Sequence, residues 1–219
     1  MKRLGFATIG QAPRTDTVPA IVEALGVPVE VVEAGALDGL PDDVIATMKP
    51  KEGEYSFATR LVDGRQVVLG KAAAEARLAT VLKKMDGQGL DAIVVLCAGT
   101  QLPKLERTLL IEPQLLVDGI TAALGANVKT LGILLPLAQQ VPLFRLHGEA
   151  KAQLRVTYAS PYLGDRFSEA GRELAGCDLV VMHCMGYGEA MRRKVAAASG
   201  APTLSAPALV AGVLKQFLS

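Results

Sequence analysis

The chain has 219 residues, 50% of them hydrophobic and 21% charged, with 23 Lys and Arg against 22 Asp and Glu. That length and apolar fraction exclude a disordered chain and supply a core without disulfide staples, and no Gly-X-Y period suggests collagen. A formal charge of +1, scattered basic residues and 4% aromatics leave no footprint for nucleic acid.

The predicted elements alternate between strands and helices. Residues 4–9 read as a buried strand, followed by the loop Gly10-Gln11-Ala12-Pro13-Arg14-Thr15-Asp16. Asp16 is placed to cap a helix in which Val18, Ile21, Val22 and Leu25 recur at helical spacing and which Gly26 closes. Pro19 fits there because it falls in the first turn. A strand over 29–32 and a short helix over 42–49 follow. Residues 56–69 form a predicted hairpin with Asp63-Gly64 at its turn. Residues 71–85 are a strong helix, and 92–96 a strand apolar on both faces, as in a parallel sheet.

The second half repeats the plan. A helix runs from Pro113 to Gly125, then a strand over 128–135, a helix over 139–154 and a strand over 155–158. Helices over 166–175, 189–198 and 209–218 enclose strands over 179–182 and 202–204. The alternation predicts an α/β fold with parallel sheets in three αβα layers. The apolar runs fall far short of the ~20 residues that span a bilayer, and the N-terminus lacks a signal-peptide core. Three cysteines, an odd number, point to free thiols in a reducing cytoplasm.

An internal repeat is the most informative feature. Gly89-Leu90-Asp91, an apolar run, then Cys97-Ala98-Gly99-Thr100 aligns without a gap on Gly176-Cys177-Asp178, an apolar run, then Cys184-Met185-Gly186-Tyr187. Leu4-Gly5-Phe6-Ala7 matches Leu131-Gly132-Ile133-Leu134 more weakly, and the hairpin is the natural insertion in the first half. The pattern predicts two homologous lobes.

Ligands of open parallel sheets bind beyond the carboxyl ends of the strands. Cys97 and Cys184 each stand one residue past such a strand. Across a pseudo-twofold axis they face each other over one cleft, where two thiols can remove a proton from one side of a carbon acid and return it to the other. No cofactor or metal enters that scheme. The turns of Gly99, Thr100, Gly186 and Tyr187 offer backbone N–H groups and hydroxyls for a carboxylate or an enolate. On the loops at the same edge, Arg14 is a candidate carboxylate clamp beside Gln11 and Thr15, and Gln139 adds an amide.

Other readings stay open at this level. Either cysteine alone reads as a small buried hydrophobe, and Cys177 reads as core. Alternation sends His183 to the face opposite Cys184, into a structural or supporting role. His147 reads as surface, as do Arg192, Arg193 and Lys194. Cys97 with His183 or His147 would make a hydrolase pair. Zinc, P-loop and dinucleotide spacings are absent.

Thr8-Ile9-Gly10-Gln11-Ala12-Pro13-Arg14-Thr15-Asp16 resembles the N-terminal signature of the AroM family, and Leu96-Cys97-Ala98-Gly99-Thr100 and His183-Cys184-Met185-Gly186-Tyr187 resemble its two cysteine motifs. AroM proteins look like distant members of the aspartate/glutamate racemase superfamily. The resemblance implies two pseudo-symmetric lobes, one cysteine from each at the cleft, and no cofactor. It implies a first lobe of residues 1–104 plus 202–219, with the hairpin inserted at about 56–69, and a second lobe of 105–201. Glutamate racemases carry a Cys-Asn-Thr type first motif and a Cys-Thr-His type second one, so only Cys97, Cys184 and loosely Thr100 correspond. The leading expectation is a cofactor-independent racemase or isomerase acting on a small carboxylate, compatible with a homodimer. The alternative is a non-catalytic carboxylate-binding or sensing protein.

Overall fold

A computed structural model describes residues 1–146 and 152–218. The first half comprises β1 (Lys2–Thr8), α1 (Val18–Leu25), β2 (Val29–Gly35), α2 (Asp42–Ala46), β3 (Ser56–Arg60), β4 (Gln66–Gly70), α3 (Lys71–Asp86), β5 (Ala92–Val95), β6 (Leu109–Ile111) and α4 (Pro113–Gly125). The second comprises β7 (Thr130–Leu135), a 3-10 turn (Ala138–Leu143), β8 (Gln153–Tyr158), α5 (Phe167–Glu173), β9 (Leu179–Met182), α6 (Glu189–Ser199), β10 (Thr203–Ser205) and α7 (Ala206–Leu218).

Two four-stranded sheets result, both parallel, in the orders β2-β1-β5-β6 and β10-β9-β7-β8. They are one plan used twice: the first strand lies centrally, the second flanks it on one side, and the third and fourth extend the other. The aligned residues also do the same work. Asp91 accepts from the backbone N–H of Arg3 at 2.8 Å and donates its own N–H to the Arg3 carbonyl at 2.9 Å. Asp178 accepts from the N–H of Thr130 and donates to its carbonyl at the same distances. The register follows: Leu4 stands opposite Ala92, and Leu131 opposite Leu179.

Period-2 alternation sorts the strand side chains into layers. Leu4, Phe6, Val94, Leu131, Ile133 and Val181 share one core with α1, α4 and α7. The opposite faces pack outward, Ile93 and Val95 against α3 and Val180 and Met182 against α5 and α6. Gly5 and Gly132, equivalent in the repeat, leave room for the outer layer. A Cβ on Gly5 would stand 2.8 Å from Leu90 and Met85, and one on Gly132 3.0–3.3 Å from Val180, Cys177 and Leu174.

Several expectations are corrected. The strand near residues 202–204 does not return to the first sheet: β10 pairs with β9. In its place β6, which the pattern missed, completes the first sheet beside β5. Three residues are too few for a periodicity signal, and parallel pairing is decided by distant partners. α7 does reach back, packing on α1. The helix expected over 139–154 is a 3-10 turn ending at Leu143. Pro142 denies it a backbone donor, and β8 starts by Gln153. His147 and the rest of 147–151 lie outside the described residues. Asp16 does not cap α1. Thr17 holds that position without a side-chain cap, and Asp16 pairs with Arg14.

Because the Gly5 cleft is filled by side chains of a packed layer, Gly5→Val should lower unfolding free energy by about 1–3 kcal/mol. Gly212, in α7 with open space around it, should instead gain up to about 1 kcal/mol on replacement by Ala. Urea unfolding of the two variants checks both signs.

Candidate active site

The carboxyl ends of β5 and β9 deliver Cys97 and Cys184 to one small cavity. Its walls include Ala98, Leu135, Gln140, Tyr162 and His183, with Tyr55, Phe57 and Ala58 from the hairpin region above. The cavity holds about 20 Å³, room for about one water. Two roomier clefts, one beside α3 and one under the hairpin, lie away from the thiols.

The hairpin β3–β4 is the roof, and the second half of the chain holds it down. Gln140 Nε2 donates to the Ser56 carbonyl at 2.7 Å, Gln139 Nε2 to Ser56 Oγ at 3.2 Å, and Ser160 Oγ to Gln66 Oε1 at 2.6 Å. The two C-x-G glycines are explained by this closure. A Cβ on Gly99 would meet the Phe57 ring at 2.6 Å, and one on Gly186 the Tyr162 hydroxyl at 2.5 Å. The glycines admit aromatic side chains that close over the thiols.

Cys97 is buried and Cys184 partly so. Burial pushes both thiols upward. Cys184 reaches about 11, moderated by the Gly186 N–H that donates to its sulfur at 3.4 Å and by the positive charge of Arg14. Cys97 is raised further by burial and by the second thiol. Both are therefore neutral thiols at rest.

Arg14 is almost fully buried and held by several protein acceptors. Its Nε and Nη2 donate to the two Asp16 oxygens, each at 2.8 Å, its Nη1 to Thr8 Oγ1 at 2.9 Å, and its Nη2 to the Tyr162 hydroxyl at 3.0 Å. Burial alone would raise Asp16, but the paired guanidinium outweighs it and holds the carboxyl below its ordinary range. Burial and the neighbouring Cys184 push the Tyr162 hydroxyl up, so it stays protonated. Since its oxygen accepts from Arg14, its own proton points elsewhere, and its side chain lines the cysteine cavity.

Residues 4–218 match the family described as AroM protein. The chain belongs to the AroM family. No curated protein matches it. Among solved structures it is similar to allantoin racemase from Pseudomonas fluorescens, at 13% identity and TM-score 0.61 over 99% of this chain and 90% of that one. A Nocardia farcinica maleate cis-trans isomerase mutant, with a covalently bound succinylcysteine intermediate, matches at 13% identity and TM-score 0.60, over 99% and 92%. Glutamate racemase from Francisella tularensis, in complex with D-glutamate, matches at 12% identity and TM-score 0.57, over 99% and 81%. These likenesses establish a racemase-type α/β fold for the AroM chain.

The AroM chain gathers some of the residues singled out in its sequence and disperses others. Cys97 and Cys184 share the cavity, and Gly99 lines the space beside it. Gln11 bridges instead to the Leu37 carbonyl and the Val62 N–H. Thr15 is exposed, and Thr100 is buried with its hydroxyl unpartnered. Gln139 faces the cleft under the hairpin, while its neighbour Gln140 enters the cysteine cavity. Tyr187 points into the outer core, donating to the Ala159 carbonyl at 2.9 Å. Cys177 sits in that core as expected of a small hydrophobe. Sequence reading missed Tyr162, which no motif marks, and Tyr55 and Phe57, which arrive with the inserted hairpin. Among the described residues, no group of three His, Cys, Asp or Glu is placed to hold a metal ion, and no helix is long and apolar enough to cross a membrane.

The partly exposed Cys184 should be alkylated by iodoacetamide before Cys97. Its rate should climb about tenfold per pH unit from 7 toward its raised pKa, because only the thiolate reacts. Peptide mass spectrometry across pH checks this; a plateau near pH 8 would contradict the buried, neutral thiol.

Proposed function

We propose that this protein is a cofactor-independent racemase or isomerase of a small carboxylate, with Cys97 and Cys184 as its acid–base pair. The observation that carries the reading is the convergence of two thiols, from equivalent ends of two equivalent sheets, on one small cavity. The fold neighbours named as racemases and isomerases support it.

In this scheme one thiol gives its proton to solvent water before substrate is enclosed, the thiolate being favoured at Cys184 by the Gly186 N–H and Arg14. The thiolate removes the proton from the carbon next to the carboxylate, and the electron pair moves into an enolate. The opposite thiol then protonates the other face, leaving one cysteine protonated and the other ionised, ready for the reverse direction. Tyr162 donates to the developing enolate oxygen, and Arg14 strengthens that donor by binding the phenol oxygen. Arg14 acts through Tyr162 and not as a direct carboxylate clamp, since Asp16 occupies its fork. If a thiolate adds instead to an alkene, rotation and elimination give cis–trans isomerisation on the same residues. A cavity of about 20 Å³ admits no such substrate, so the hairpin roof lifts on entry. The three free thiols suit a reducing cytoplasm.

A second reading is a sensor that binds a carboxylate without turnover. The observation favouring it is that the enclosed cavity keeps both thiols protonated at rest.

Incubation in D₂O with amino acids, dicarboxylates and hydroxy acids separates the two readings. Proton NMR should show loss of the α C–H signal of at least one compound. Cys97→Ser and Cys184→Ser should each slow that exchange by roughly 100-fold or more. Saturable binding with no exchange, unchanged in both variants, would support the sensor and defeat the two-thiol reading.

A further inference from the structure

The cleft under the hairpin has no part in the two-thiol scheme, yet it shares residues with the roof. It holds about 570 Å³, within the range of small-molecule sites. Its apolar wall is aliphatic: Ile45 of α2, Leu61 after β3, and Val67 and Val68 of β4. Ile45 and Leu61 are buried, whereas Val67 and Val68 are half-buried and keep apolar surface toward the cleft. The charges around it are unevenly matched. Arg65 is held by Asp42 at 2.9 Å and by Asp63 at 2.6 Å. Lys49, which also lines the cleft, forms no ion pair among the described residues. The cleft therefore offers an aliphatic wall and one uncompensated cation.

Two residues of this cleft are latches of the roof. Gln139 Nε2 donates to Ser56 Oγ at 3.2 Å, and Gln66 Oε1 accepts from Ser160 Oγ at 2.6 Å. Both bonds join the hairpin to the second half of the chain, and both glutamines line the cleft. Their other amide atoms, Gln139 Oε1 and Gln66 Nε2, have no protein partner among the described residues. Among those residues Gln139 is also the one wall from the second half. The rest belong to the hairpin, to α2 and to Lys49 and Pro50 just after it.

We propose that this cleft binds a small aliphatic carboxylate, its chain on Ile45 and the two valines and its anionic end at Lys49, and that the occupant holds the roof shut. A molecule touching both the hairpin and Gln139 loses contacts when the hairpin parts from the second half. It therefore binds the closed form better and shifts the population toward it. A closed roof leaves a cysteine cavity of only about 20 Å³, so the ligand of the cleft acts as an inhibitor and not as a substrate. This inference rests on the lifting of the roof in the proposed function, and not on proton transfer by the thiols.

The test uses the full-length protein with hexanoate and octanoate, octanamide as the uncharged control and acetate as the control without a chain. Calorimetry measures binding. Iodoacetamide at fixed pH measures opening, because Cys97 is buried and reacts when the roof is lifted. Octanoate should bind about tenfold or more tighter than acetate and about threefold tighter than octanamide. At saturation it should slow Cys97 alkylation about fivefold or more. Lys49→Gln should remove the preference for the acid over the amide. Ala46→Phe, which fills the cleft, should weaken binding of both; each variant replaces an exposed side chain. No binding by either acid, binding that leaves Cys97 alkylation unchanged, or equal affinity for octanoate and octanamide would each overturn the proposal. Protection of Cys97 that persists in both variants would put octanoate in the cysteine cavity and overturn it as well. Alkylation needs no turnover, so a failure of proton exchange at the cysteines leaves this readout standing, and proton exchange can hold where octanoate fails.

Discussion

One carboxylate at the head of a strand sets the height of each cysteine. Asp91 clamps the backbone of Arg3, and Asp178 that of Thr130, by the same pair of hydrogen bonds. Each clamp fixes where a third strand begins against its central neighbour. The strands end at Val95 and Met182, and the N–H groups of the residues after them, Leu96 and His183, are held by the carbonyls of Ala7 and Leu134. The next residue in each case is a cysteine. A slip of one residue would turn each thiol to the other face of its sheet, so the candidate site depends on register before it depends on any group in the cavity.

The second constraint is closure. Parallel sheets leave an open crevice beyond their carboxyl ends, and here an inserted hairpin covers it. Phe57 lies on Gly99 and Tyr162 on Gly186, so the same two glycines that shape the turns also set how tightly the roof fits. The roof meets the second half through polar contacts at Ser56 and Gln66, while its Phe57, Leu61 and Leu69 are buried in the outer core with α3. Closure also governs the electrostatics. Burial raises both thiols and the Tyr162 hydroxyl, while the buried cation Arg14 is compensated by Asp16. In the proposed scheme the buried positive charge acts through the Tyr162 phenol, to which Arg14 donates.

His183 illustrates how alternation serves two purposes at once. It leaves β9 on the face opposite Cys184, toward the helices between the sheets, and there meets Asp118 of α4 and the edge of Phe144. Because the strand ends there, the same ring still borders the cavity. A side chain read as supporting is therefore anchored in the core while its ring forms part of the cavity wall.

Much of the fold was legible because it is written in short-range pattern. Buried parallel strands read as continuous apolar runs, Gly26 and Asp63-Gly64 mark a helix end and a turn, and the repeated G-x-D, strand, C-x-G skeleton announced the two equivalent thiols. The sequence by itself determined the α/β alternation, the duplication and the placement of Cys97 and Cys184 at strand ends. Only the tertiary structure decided that β6 and β10 complete opposite sheets, that Asp16 turns inward to Arg14, that Gln140 rather than Gln139 enters the cavity, that Tyr162 lines it, and that Asp118 pairs with His183. The physical reason is range. Periodicity and turn chemistry act over a few residues, whereas a strand of three residues, a buried charge and a cavity wall acquire partners through contacts between segments tens of residues apart, which no local pattern encodes.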